Sequence, residues 1–118
     1  MATSTINWSY CLHRCDQNSK LAKQLLTLLA KELPTFRSRI EHAVKANNTS
    51  DIRHVIHQLN GAAASAGAQT LADEASTIER QLNIQSATCT EKQLHTLLQC
   101  IKNTLSDIDR IEVFEASD

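Results

Sequence analysis

A chain of 118 residues and 13.1 kDa can bury one modest hydrophobic core and is short for two, which predicts a single domain over residues 1–118. The formal net charge of −1, with acidic and basic residues interspersed, excludes the electrostatic footprint of a nucleic-acid or anionic-membrane binder and leaves a protein as the default partner. Aromatics at 3%, two glycines and one proline are poor material for strands joined by tight turns, so the core must be built from Leu, Ile, Val and Ala, and the composition predicts helices.

The period of the apolar positions predicts five of them. The first is short, from about Asn7 to Asp16, with Trp8, Cys11, Leu12 and Cys15 on one side. After Gln17, Asn18 and Ser19 comes a second, whose apolar row Leu21, Leu25, Leu28 and Leu29 continues through Leu33, Phe36, Ile40 and Val44. Pro34 lies inside this pattern. Proline lacks an amide donor and its ring crowds the preceding turn, which predicts either a kinked helix or two abutting ones. The chain then turns at Asn47-Asn48-Thr49-Ser50, where Thr49 or Ser50 is the expected cap of a third helix. That helix runs from Asp51 to about Ala66 and carries the core stripe Ile52, Val55, Ile56, Leu59, Ala63 and Ala66. A fourth, from about Gln69 to Asn83, shows Leu71, Ala75, Ile78 and Leu82. Thr88 with Glu91 three residues on forms a capping box for the last helix, which presents Leu94, Leu97, Leu98, Ile101, Leu105 and Ile108. The short connections predict antiparallel neighbours. The expected fold is all-α: an up-and-down four-helix bundle with a short extra N-terminal helix and a kink or break near Pro34.

No apolar run approaches the roughly 20 residues of a membrane span, and residues 1–10 lack the regions of a signal peptide, so the cytoplasm is the expected compartment. In that reducing setting Cys11, Cys15, Cys89 and Cys100 read as small apolar residues or bystanders. Cys11, His13 and Cys15 lie close in sequence, but on a helix His13 points away from the two thiols. Two ligands are fewer than zinc takes, and no metal is expected.

The segment Val55 to Gly67 holds both glycines, Gly61 and Gly67, in surroundings otherwise rich in alanine. With Ile52 at zero and about 100° per residue, the core stripe of the third helix stays within roughly 60°, while His57 falls at about 140° and His54 at about 200°. Both histidines therefore face solvent. Helical side chains lean towards the helix N-terminus, so the residue four positions after His57 is the one that covers it. That residue is Gly61, at a site where glycine costs about 1 kcal/mol relative to alanine. Ala64 is small and lies on the same side. Position 58, which stands in the same relation to His54, is glutamine and clears nothing, so His57 is the better candidate for chemistry. A neutral imidazole offers a nucleophilic nitrogen without an activating base. The exposed face around it carries Arg53, His54, Asn60 and Gly61, with no carboxylate to complete a triad, no HExxH spacing and no glycine-rich phosphate loop. The chain is therefore expected to bind no ATP and to have no kinase activity of its own, the remaining machinery coming from a partner. Gly67 is expected to end the third helix in a left-handed conformation.

His57-Gln58-Leu59-Asn60-Gly61, then Gly67, Leu71, Ala75, Ile78 and Glu79, resemble the signature of histidine-containing phosphotransfer domains, HxLKGxxxxxG followed by GxxxLxxxAxxIE. The stretch from Ile6 to Pro34 is similar to the N-terminal half of the same family, especially to such domains at the C-terminus of hybrid sensor kinases. The resemblance implies that His57 accepts a phosphoryl group, through its outer nitrogen, from a receiver-domain phospho-aspartate and passes it to the aspartate of another receiver or response regulator. It implies no cofactor on this chain, with Mg²⁺, a lysine and the acceptor aspartate supplied by the receiver. A cytoplasmic module of a membrane-bound sensor kinase is then one form the protein can take. Asn60 stands where the family usually has lysine; Arg53, one turn before His57, is the expected partial substitute. Two other readings are a helical adaptor that happens to expose a histidine and a degenerate member that binds receivers without transferring phosphate. His13, His42 and His95 read as surface residues, Glu74, Glu79 and Arg80 as a solvated face, and His54 as either solvated or part of the docking surface.

Overall fold

The structure is a computed structural model that describes residues 6–85 and 91–115. Among the described residues the chain forms five helices: α1 (Trp8–Arg14), α2 (Ser19–Lys45), α3 (Thr49–Ala66), α4 (Gln69–Gln85) and α5 (Glu91–Glu115). α2 packs on α3 and α5, and α4 packs on the same two, so the four long helices close into a ring around one core, with α1 lying against α2. This is the expected all-α, up-and-down bundle, about twice as long as it is wide at 46 × 25 × 21 Å.

Asparagines start three of the helices. Asn7, Asn18 and Asn48 each accept, on the side-chain oxygen, the amide of the residue three positions on, at 3.1, 3.0 and 3.1 Å. The cap of α3 is thus Asn48, and Thr49 and Ser50 are its first helical residues. Asparagine caps as well as serine or threonine, and Asn47 ahead of it takes the left-handed turn at φ 51° that sets this register. The Thr88–Glu91 capping box lies outside the described residues.

α2 continues through Pro34 without a break, so the two-helix alternative does not hold. Pro34 is exposed, while Leu33, Phe36 and Ile40 on either side are buried. Burial of these large side chains offsets the lost amide bond, and the helix continues past it. The apolar row of α2 also differs from the expectation in its first half. Ala22, Leu26, Leu29 and Leu33 are buried, whereas Leu21 and Leu28 are 40% and 54% exposed and Val44 37%. Leucines occupy two adjacent rows here, and only the positions of the neighbouring helices decide which row is interior.

α3 and α4 bury the expected stripes. Ile52, Val55, Ile56, Leu59, Ala63 and Ala66 are all interior, as are Leu71, Ala75, Ile78 and Leu82 opposite them. In α5, Leu94, Leu97, Ile101 and Ile108 are buried, with Leu98 and Leu105 packed against the core at its edge. Two polar residues join them: Thr104, whose hydroxyl donates to the Cys100 carbonyl at 2.8 Å, and Asp107, paired with Arg110.

Gly67 ends α3 in the left-handed conformation, φ 84°. A second constraint holds it there. A Cβ on Gly67 would come within 2.7 Å of Cys11 Sγ, because α1 lays its one fully buried thiol over the end of α3, 3.4 Å from the Ala66 carbonyl oxygen. Cys15 is buried beside it. Burial pushes the Cys11 thiol pKa above its ordinary value, with the neighbouring Cys15 adding to the effect.

Candidate functional site

α3 and α4 are joined by only Gly67 and Ala68 and run antiparallel, so the residue ten before Gly67 comes opposite the residue twelve after it. These are His57 and Glu79. The His57 side chain is 70% exposed, and its Nδ1 lies 2.5 Å from Oε2 of Glu79, whose own side chain is only 18% exposed. Asn60, one turn further along α3 on the side facing α4, donates from Nδ2 to the other carboxylate oxygen, Oε1, at 3.4 Å. The carboxylate is bracketed by the ring on one oxygen and an amide on the other. His57 Nε2 has no hydrogen-bond partner among the described residues. A neutral imidazole bonded to a carboxylate through Nδ1–H keeps its lone pair on Nε2.

Glu79 therefore does not belong to a merely solvated face, and a carboxylate does stand beside His57. Inspection of the α3 face alone missed it because the group comes from another helix, 22 residues away. The two-residue connection and the antiparallel register were the signals that placed it.

The other candidate residues distribute around this pair. Gly61 is exposed, and a Cβ added there would meet nothing within 4 Å, the imidazole included. The free domain thus has room for a side chain at 61, and the ring does not need its absence to stay uncovered. Ala64 is exposed on the same side. Asn60 engages Glu79 and brings no charge to the ring. Arg53 is half-buried; its Nε is enclosed without a hydrogen-bond partner, and no ion pair or hydrogen bond joins it to His57 among the described residues.

His54 is exposed on the other side of His57, where it lines an open groove between α2 and α3 together with Arg39, His42 and Asp51. At the edge of that groove Arg39 Nη2 donates to Gln58 Oε1 at 2.7 Å, and its guanidinium sits 5.9 Å from the centre of the Phe36 ring. His13 is exposed while Cys11 and Cys15 are interior, so these three do not converge. Among the described residues no group of three or more His, Cys, Asp or Glu is placed to hold a metal ion.

The Hpt domain family matches residues 24–110, a span that contains His57, Asn60, Gly61 and Glu79, the whole of α3 and α4 and most of α2 and α5. The chain belongs to the Hpt domain family. Membership places it in phosphorelay signalling, where Hpt domains work with receiver domains. The fold agrees. The chain superposes on the crystal structure of the HPT domain from the Hpt sensor hybrid histidine kinase of Shewanella with a TM-score of 0.84, over 92% of this chain and 94% of that one, at 26% identity. In sequence it is 27% identical over 79 residues to the signal transduction histidine-protein kinases BarA of Shigella flexneri and Escherichia coli K12. That alignment covers 67% of this chain but only 9% of the kinases. No helix among the described residues is long and apolar enough to cross a membrane.

Proposed function

We propose that this Hpt domain is a phosphorelay intermediate in which His57 Nε2 is the atom that carries phosphate. The observation that supports this most directly is the orientation of the ring: Nδ1 is engaged by Glu79, and the opposite nitrogen is presented on a 70%-exposed side chain. Nε2 attacks the phosphorus of a receiver phospho-aspartate, the N–P bond forms, and the P–O bond to the aspartate breaks to release its carboxylate. The reverse reaction delivers the group to another receiver. Phosphoryl transfer depends mainly on positioning and charge stabilisation, and the receiver brings Mg²⁺ and its own lysine to the shared site. This chain contributes a rigid nucleophile and a surface low enough for close approach, formed by Gly61, Ala64 and the facing part of α2.

The names of the relatives link the domain to sensor histidine kinases, and in this reading it is a carrier acting after such an enzyme. The source of phosphate is a receiver, not ATP. Isotopically labelled phosphate on a receiver domain from the same organism is expected to appear on the wild-type chain as an acid-labile adduct and to be absent from His57→Gln. Equal labelling of the two proteins excludes His57 as the acceptor. One observation supports a second reading, a receiver-binding domain that transfers no phosphate: Asn60 leaves the site without the family's usual cation. Receiver binding without any acid-labile adduct would identify it.

A further inference from the structure

The two flanks of His57 carry opposite charge. α2 holds six of the chain's twelve Lys and Arg residues and only two of its thirteen Asp and Glu, a formal +4 on one helix of a chain whose total is −1. α4, on the other side of α3, holds Asp73, Glu74 and Glu79 against Arg80 alone. A receiver that reaches His57 with Mg²⁺ in place brings the carboxylates that hold the ion, since Mg²⁺ takes oxygen ligands. Its approach is favoured over α2 and opposed over α4.

The α2 flank also has a shape. The open groove between α2 and α3 starts at Arg39, which is bonded to the residue after His57, and runs to Asp51 in the first turn of α3. Buried Ala43 and Val55 form its floor, and His42 and His54 stand on its walls. Arg39 is held at the end nearest the reactive ring. Its Nη2 donates to Gln58 Oε1 at 2.7 Å, and its guanidinium lies over the Phe36 ring. A guanidinium has five N–H donors in a planar fork. This one uses a single donor on Gln58, and among the described residues no carboxylate pairs with it.

Resting on the transfer role of His57, we propose that this groove receives an acidic side chain from the rim of the receiver's phosphorylation site, and that Arg39, its partner there, is a specificity-determining residue of the domain. The receiver's inner carboxylates are engaged with Mg²⁺, so the acid that meets Arg39 is a further one. It pairs with the outer edge of the guanidinium in the two-pronged geometry that arginine favours. Gln58 and Phe36 already restrain the arginine, so little side-chain freedom is lost on docking. His42 and His54 add ring N–H donors along the walls. Asp51 closes the far end and repels a second carboxylate, so the groove reads the position of one acid rather than the total charge of the partner. A receiver with a neutral or basic residue at that place leaves Arg39 unpaired in the interface and is disfavoured. No bond is made or broken in the groove; Arg39 acts on docking and leaves the chemistry to Nε2.

The test uses the full chain and the receiver domains of the same organism. Two quantities are measured for each receiver: Kd of the unphosphorylated form by calorimetry, and KM and kcat for transfer from the phosphorylated form. For the receiver that binds the wild type most tightly, Arg39→Glu is expected to raise Kd and KM by about tenfold, with kcat unchanged. Labelling by phosphoramidate, which needs no receiver, should stay at the wild-type rate and shows that the variant is folded. Arg39→Lys keeps the charge but not the fork and should recover only part of the loss. Added salt should weaken the wild type more than Arg39→Glu. Lys102→Glu makes the same change in net charge on the exposed face of α5 and should match the wild type. Equal Kd and KM for wild type and Arg39→Glu, or an equal loss in Lys102→Glu, overturns the proposal. If receivers bind through Arg39 and none transfers phosphate, the transfer reading falls and the docking assignment stands; if transfer proceeds with Arg39 silent, the reverse holds. If no receiver binds the wild type, both fall.

Discussion

Replacing Gly61 with alanine should make this protein more stable and a poorer partner. Gly61 lies in the interior of α3, where glycine costs about 1 kcal/mol relative to alanine because of the backbone freedom it loses on folding. A Cβ there would meet nothing within 4 Å, so no clash reduces the gain, and the exposed methyl adds little burial. The expected stabilisation is therefore close to the full propensity difference, about 0.5–1 kcal/mol, or roughly 2–4 °C in Tm for a domain of this size. Thermal unfolding followed by circular dichroism measures it. Receiver docking tests the other half: phosphorylation by phosphoramidate, a donor small enough to need no docking surface, should proceed at the wild-type rate in both Gly61→Ala and the bulkier Gly61→Leu. Transfer from a receiver should be weakened in KM by Gly61→Ala and severely by Gly61→Leu. A destabilised Gly61→Ala would show that the helix is not free at this point. Wild-type receiver transfer by Gly61→Leu would refute the idea that the missing side chain serves a partner.

Gly67 should respond in the opposite sense. Alanine there must adopt φ 84° and bring its Cβ to within 2.7 Å of Cys11 Sγ, so Gly67→Ala is expected to lose about 1–3 kcal/mol in chemical denaturation, with unchanged stability arguing against both constraints. The buried thiols give a prediction in pH. Burial pushes Cys11 and Cys100 above the ordinary value of 9.0, so both are expected to resist iodoacetamide in the native protein and to react on unfolding, as read by peptide mass mapping. Because their folded-state pKa values are raised, the stability they contribute is complete below about pH 9 and is lost as pH climbs through the folded values. Unfolding midpoints that stay level well above pH 9 would contradict this.

The helices and their order were readable from spacing alone wherever each helix offered a single apolar row. α3 is the clearest case, with all six positions of its stripe interior. α2 was less legible for a definable reason: leucines at 21, 25, 26, 28 and 29 form overlapping rows, and interior and surface are assigned by neighbours that spacing does not describe. The cap of α3 was misplaced by one or two residues because Asn48, Thr49 and Ser50 are all competent caps, and the left-handed turn at Asn47 chooses among them. His57 was legible because exposure follows from helical phase. Glu79 was not, because its partnership depends on pairing two helices in register, and a single-helix projection has no place for a residue from across the interface.

The seal between Cys11 and Gly67 has a bearing on how much of this chain can be moved as a working part. The family match begins at residue 24, within α2, yet Gly67 rests against a sulfur from α1, which lies upstream of that boundary. Ile6, also upstream, is interior too. A graft cut to the matched region would take the glycine without the thiol that covers it and would open the base of α3, the helix on which His57 stands, to water. The portable unit is longer at its N-terminus than the recognisable one, and transplants of this domain into other signalling chains should start before Ile6.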